Sequence, residues 1–184
     1  MMDVNDLISA SVQLFKEEKY AEAIGKMRQA WNEITDKSTL ITEQFLIQSW
    51  IGCCYFEQAM KAKNADSADK LFRKAIKHYR EWLRLIKADE QNDFQQQINA
   101  LSWLGRCYFE LAKKTKDTEK GNKLFERAVK HYRKWLQLAK QLIDEQRSVQ
   151  QQINAQSWLV GCYFEQTKKT KDATIAGELF EQAI

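Results

Sequence analysis

The residues of this chain that could do chemistry are few, and they come in copies. Its two histidines, His78 and His131, each stand inside the same string, Lys-His-Tyr-Arg. Ser49, Ser102 and Ser157 each precede a tryptophan, and Cys54, Cys107 and Cys162 each follow that tryptophan at one fixed distance. A histidine can serve as a general base, a serine or cysteine as a nucleophile, and cysteine with histidine as a zinc shell. A catalytic histidine needs a partner base, acid or nucleophile at one unique pocket. A serine nucleophile needs a G-x-S-x-G turn and an oxyanion loop, and a zinc site needs a second CxxC or a Cys/His pairing. The sequence supplies none of these, nor a Gly-rich phosphate cradle. A histidine duplicated together with its whole neighbourhood is explained by copying of a structural unit. The expectation is therefore no catalytic residue, no metal and no cofactor. The cysteines, including Cys53 beside Cys54, are expected to be reduced and structural, the three periodic ones filling one small apolar slot per unit.

What is being copied is larger than these residues. Trp50-Ile51-Gly52-Cys53-Cys54-Tyr55-Phe56-Glu57 returns as Trp103-Leu104-Gly105-Arg106-Cys107-Tyr108-Phe109-Glu110 and again as Trp158-Leu159-Val160-Gly161-Cys162-Tyr163-Phe164-Glu165. The tryptophans are 53 and then 55 residues apart, and so are Phe72, Phe125 and Phe180. Periods of this size indicate stacked repeats, whose class of work is binding. With 184 residues, 44% hydrophobic and 29% charged, the chain reads as soluble and globular. Proline is missing from the sequence and glycine numbers 6, so there is no flexible linker, and residues 1–184 are expected to form a single continuous domain. The N-terminus opens acidic, without a basic leader, and no run of about 18 apolar residues occurs. A cytoplasmic protein with no membrane association is expected.

Apolar periodicity places helices along the chain. Val4, Leu7, Ile8, Leu14 and Phe15 form one stripe, with Asp3 as a cap, and Ala23, Ile24, Met27, Ala30, Trp31 and Ile34 form the next after a brief turn at Lys19. Two amphipathic helices joined so closely must fold back antiparallel. After a break at Asp36-Lys37-Ser38, a helix from about Thr39 to Lys61 pairs with one beginning near Asp66. In the latter, Ala68, Leu71, Phe72, Ala75, Ile76, Tyr79, Trp82, Leu83 and Ile86 give the strongest helical signal of the chain. A third hairpin pairs about Asp93 to Lys114 with about Thr118 to Ile143. A break at Asp144 to Ser148 precedes the fourth, which begins at Val149 and resumes at Ala173. The hairpins are thus expected at about residues 3–35, 38–88, 93–144 and 147–184, the last lacking a counterpart of His131-Tyr132-Arg133.

These residues resemble the tetratricopeptide repeat family, whose helix-turn-helix unit carries W-x2-L-G-x2-Y, then A-x3-F-x2-A and a closing proline. The first part stands here as Gly52/Tyr55 and Gly105/Tyr108. The second stands as Ala68/Phe72/Ala75, Gly121/Phe125/Ala128 and Ala176/Phe180/Ala183. The tryptophans sit two residues later than the family position, Val160 replaces the last glycine, and without the proline the second helices run on for several turns. The resemblance implies an all-α, right-handed solenoid of antiparallel helix hairpins, a superhelix whose first helices line a concave groove. It implies a non-catalytic scaffold that binds a peptide or protein there.

On the first helix of the third hairpin, Ile98, Leu101, Leu104, Tyr108 and Leu111 form the packing stripe. Asn99, Ser102, Arg106, Phe109 and Glu110 lie about 100 degrees round. With Asn154, Ser157, Phe164 and Glu165 of the next unit, they are the residues that the resemblance places on the groove, a mixed amide, guanidinium and aromatic surface suited to an extended or helical peptide. Two rival surfaces remain. The unfinished last helix, through Leu179, Phe180 and Ala183, could bury its stripe against a second copy and make a homodimer. Lysines of the intra-hairpin turns, Lys61/Lys63, Lys113/Lys114/Lys116/Lys120 and Lys168/Lys169/Lys171, could align as a basic ridge for nucleic acid. A net charge of +4 and the interspersed Asp66, Asp117, Glu119 and Asp172 favour a solvated edge over that last reading.

Overall fold

The structure, a computed structural model, describes residues 3–34, 40–89, 93–170 and 177–178. Among these residues it contains α-helices and no strand: α1 (Val4–Lys16), α2 (Tyr20–Glu33), α3 (Ile41–Lys61), α4 (Ala65–Ala88), α5 (Phe94–Lys114), α6 (Thr118–Ala139) and α7 (Glu145–Lys169). The starts of α1, α4, α5, α6 and α7 are set by short polar caps. Asp3, Asn64, Asp93, Asp117 and Asp144 each accept a backbone N–H of the first turn through their side chains, and such a cap is worth about 1 kcal/mol. α1 stops differently. Glu18 takes a left-handed conformation (φ 60°), which lets the amides of Glu18 and Lys19 turn back onto the carbonyls of Phe15 and Leu14. That reversal aims α2 back along α1.

The chain divides into two compact units, residues 1–92 and 93–184. In the first, α1 pairs with α2 and α3 with α4, and α3 also lies against α2 and α1. In the second, α5 pairs with α6, α6 packs on α7, and the two first helices α5 and α7 touch. Successive hairpins in each unit stack with first helices side by side, an all-α helical-repeat fold of the solenoid type.

The copied residues are the joints of this stack. Tyr79 of α4 lies over Gly52 of α3 so closely that a Cβ there would stand 2.5 Å from the ring, and Tyr132 of α6 covers Gly105 of α5 in the same way. Both tyrosines are fully buried. Beside them, Phe56 meets Phe72 edge-on with ring centroids 5.6 Å apart, and Phe109 meets Phe125 at 5.8 Å. The duplicated histidines belong to this set: His78 stacks on Tyr55 and His131 on Tyr108, at 5.6 and 5.5 Å. Within each unit an arginine then ties a second helix to the following first helix, α2 to α3 and α6 to α7. Arg28 donates to the Tyr55 hydroxyl at 2.9 Å and Arg133 to the Tyr163 hydroxyl at 2.8 Å.

Two boundaries differ from those read in the sequence. α6 ends at Ala139 rather than near Ile143, and α7 begins at Glu145 rather than Val149, so the expected break at Asp144 to Ser148 is largely helix. The cause is a polar clasp: the buried Ser148 hydroxyl donates to the last carbonyl of α6, at Ala139, at 2.7 Å, while Asp144 accepts from the Arg147 amide at 2.8 Å. Ile143, read from the sequence as the end of this helix, is fully exposed in the turn. The second helix expected in the fourth hairpin, with Ala176, Leu179, Phe180 and Ala183, lies outside the described residues, as does the break at Asp36-Lys37-Ser38.

Candidate protein-binding face

α5 and α7 present the same polar ladder at the same register. Gln95 donates its side-chain amide to the Asn99 side-chain oxygen at 3.0 Å, and Gln150 does so to Asn154 at 3.1 Å. One turn further on, the Ser102 hydroxyl donates to the Asn99 carbonyl at 2.8 Å and the Ser157 hydroxyl to the Ile153 carbonyl at 2.9 Å. Local bonds of this kind hold each amide in a fixed orientation while leaving its NH2 group on the half-exposed face of the helix. Glu110 and Glu165 close the ladders at their C-terminal ends. Each is paired with a lysine one turn on, Lys113 at 3.4 Å and Lys168 at 2.9 Å, and exposed pairs of this sort contribute little to stability.

Arg106 stands between two indoles, its guanidinium carbon 4.9 Å from the Trp103 ring and 5.7 Å from the Trp158 ring. Cation–π attraction on both sides fixes the planar group where a flexible arginine would otherwise lose entropy on binding. Trp158 in turn stacks on Tyr132 at 5.7 Å and takes an edge contact from Phe109 at 5.5 Å. This aromatic bracket was not legible as a site, although Trp103 and Arg106 are three residues apart and thus neighbours on one helix face.

The phenylalanines separate. Phe109, grouped with the open stripe by its helical angle, is only 7% exposed, held between Phe125 and Trp158. Phe164, its counterpart in the next repeat, is 54% exposed, with the Lys168 ammonium 4.2 Å from its ring centroid. Of the sequence-derived residues, Asn99, Ser102, Arg106 and Glu110 on α5 and Asn154, Ser157, Phe164 and Glu165 on α7 therefore have accessible surface, and Phe109 supports them from within.

Part of the lysine edge, Lys61, Lys113, Lys168 and Lys169, is drawn into local contacts. Lys61 pairs with Glu18 at 2.5 Å. Lys169 reaches from α7 to the end of α5, donating to the carbonyls of Ala112 and Thr115 at 2.6 Å each. Desolvation at that position lowers the Lys169 pKa.

Burial shifts three of the groups that could do chemistry, Cys54, Cys162 and His78. Burial pushes the thiols of Cys54 and Cys162 up to about 12, with the neighbouring Cys53 adding to the shift at Cys54, so neither supplies thiolate at neutral pH. His78 is lowered to about 4 by burial first and by Arg28 and Lys77 next, and its Nδ1 lies 2.8 Å from the Gln48 side-chain oxygen. Among the described residues no group of three or more His, Cys, Asp or Glu could hold a metal ion, and no helix is long and apolar enough to cross a membrane.

Residues 99–134, which run from the middle of α5 through the turn and most of α6, match the family model described as Tetratricopeptide repeat. No curated protein matches the chain. Repeats of this family generally mediate protein–protein interaction and generally act as non-catalytic scaffolds. That match falls on the hairpin whose Gly105, Tyr108, Gly121, Phe125 and Ala128 form the repeat core, so over residues 99–134 the chain is similar to the tetratricopeptide repeat family.

Proposed function

We propose that the chain is a cytoplasmic, non-catalytic interaction scaffold that takes a peptide or protein partner across the first helices α5 and α7. Asn99, Ser102 and Arg106 with Asn154 and Ser157 carry the contact, and Glu110, Phe164 and Glu165 border it. The observation that supports this reading most is the repetition of the Gln–Asn–Ser ladder on two touching helices. Amides at equal register can bond the main chain of an extended peptide repeatedly, with Arg106 as a preorganised anchor. Phe109 contributes from beneath by fixing Trp158. The second helices, by contrast, bury their aromatic stripes in the stack and show solvent mainly lysine, arginine and glutamate.

Selection of binding peptides from a random display library against the full chain tests the proposal. Peptides that bind wild type should lose about tenfold or more in affinity to an Asn99→Ala/Asn154→Ala variant, since amide donors matched to a ligand are costly to lose. They should be indifferent to Lys123→Ala on the exposed face of α6. Equal affinity for the double variant would sink the proposal.

A further inference from the structure

α7 carries an apolar strip that shares only Phe164, at its edge, with the ladder face. Val149, Ile153, Val160 and Phe164 are 50%, 51%, 46% and 54% exposed. Their spacing places them within about 60 degrees of one another, along roughly 22 Å of helix. Asn154 and Glu165 point more than a quarter turn away. At the equivalent register of α5, Ile98, Gly105 and Phe109 are buried. Gly105 in particular is the notch that receives the Tyr132 ring, and Val160 stands in its place on α7. A side chain there fills the notch in which the Tyr132 ring seats on α5. The filled strip suits a flat row of aliphatic side chains instead, and α7 itself presents one.

We propose that this strip is a self-association surface, on which α7 of a second copy packs antiparallel. Turned about a dyad between residues 156 and 157, Val149 of one copy meets Phe164 of the other and Ile153 meets Val160, so the strip is its own complement. The ends agree in charge: the same operation sets Glu145 opposite Lys168 of the second copy. Closed twofold symmetry of this kind requires only one patch. An interface of one helix per copy buries less than the roughly 1,200 Å² at which stable complexes begin, so the dimer should be weak and concentration-dependent.

Sedimentation velocity of the full chain over a concentration series gives the test. Wild type should pass from monomer to dimer, and Ile153→Asp or Val160→Asp, both on exposed positions, should raise the dissociation constant about tenfold or more without changing the helical circular dichroism. Glu145→Lys and Lys168→Glu should each weaken the dimer, and the two together should restore it. A monomer at every concentration would overturn the proposal. So would a dimer untouched by the aspartates, which would put the contact on another face, or a charge reversal without rescue, which would refute the antiparallel register.

Discussion

At the scale of single residues, the copied side chains carry the fold, and their substitution effects follow from local space. Gly105 lies under the buried Tyr132 ring with no room for a Cβ, whereas at Gly161 an added Cβ would meet only the edge of Phe109 at 4.0 Å. Gly105→Ala should therefore cost about 1–3 kcal/mol as an overpacked core does, while Gly161→Ala should be neutral or gain up to about 1 kcal/mol from helix propensity. Urea unfolding of the two variants, read by circular dichroism, separates these outcomes. His78 makes a prediction of the opposite kind, about solution conditions. Because burial lowers its pKa to about 4 from an ordinary 6.5, the folded chain resists a proton that the unfolded chain accepts. The stability contributed by neutral His78 should be intact above pH 6.5 and lost as pH falls toward 4, by about 2 kcal/mol once partial exposure is discounted. Replacing His78 by Gln should flatten that part of the pH–stability curve. The duplication of His78 and His131 was readable as structural from the sequence, since copies imply a common slot. The burial of Phe109 was not: a helical wheel measures angle from one packing stripe, but a first helix inside a stack is touched on two sides, here by Phe125 of its own hairpin and Trp158 of the next.

At the scale of elements, helix identity and pairing followed from periodicity, and only the ends moved. The strong three-and-four spacing of α4 left no choice, whereas the α6–α7 junction turned on one hydroxyl and one carboxylate that periodicity does not register. Ser148 clasps Ala139 and Asp144 caps α7. Asp144→Ala should fray the first turn of α7 and cost about 1 kcal/mol, visible as faster amide exchange over the residues just after 144. The other end of α7 is a staple. Lys169 supplies donors to the carbonyls that close α5, a role that helix C-termini commonly leave to water. Lys169→Met should keep the aliphatic stem but release those carbonyls, lowering stability by about 1 kcal/mol and raising exchange at the α5–α6 turn. A lysine read as part of a basic edge is thus a structural cap, which charge counting along the chain could not distinguish.

At the scale of the molecule, one repeat logic accounts for both the stack and the surface proposed for recognition. Large rings from second helices fill glycine notches in first helices, which consumes the aromatic character of α4 and α6 and leaves amides, hydroxyls and one bracketed arginine with accessible surface on α5 and α7, beside the apolar strip of α7. Period and family pattern made the helical repeat legible in the sequence. The bracket around Arg106 was hidden because it joins residues more than fifty positions apart, and sequence spacing reports only neighbours on one helix. The most direct test of the recognition surface is nuclear magnetic resonance of the full chain titrated with a peptide selected for binding, following the side-chain amide signals of Asn99 and Asn154. The account predicts that both shift together and saturate at one peptide per chain. Shifts confined to α4 or α6, with the two asparagine amides unmoved in a saturated complex, would contradict it.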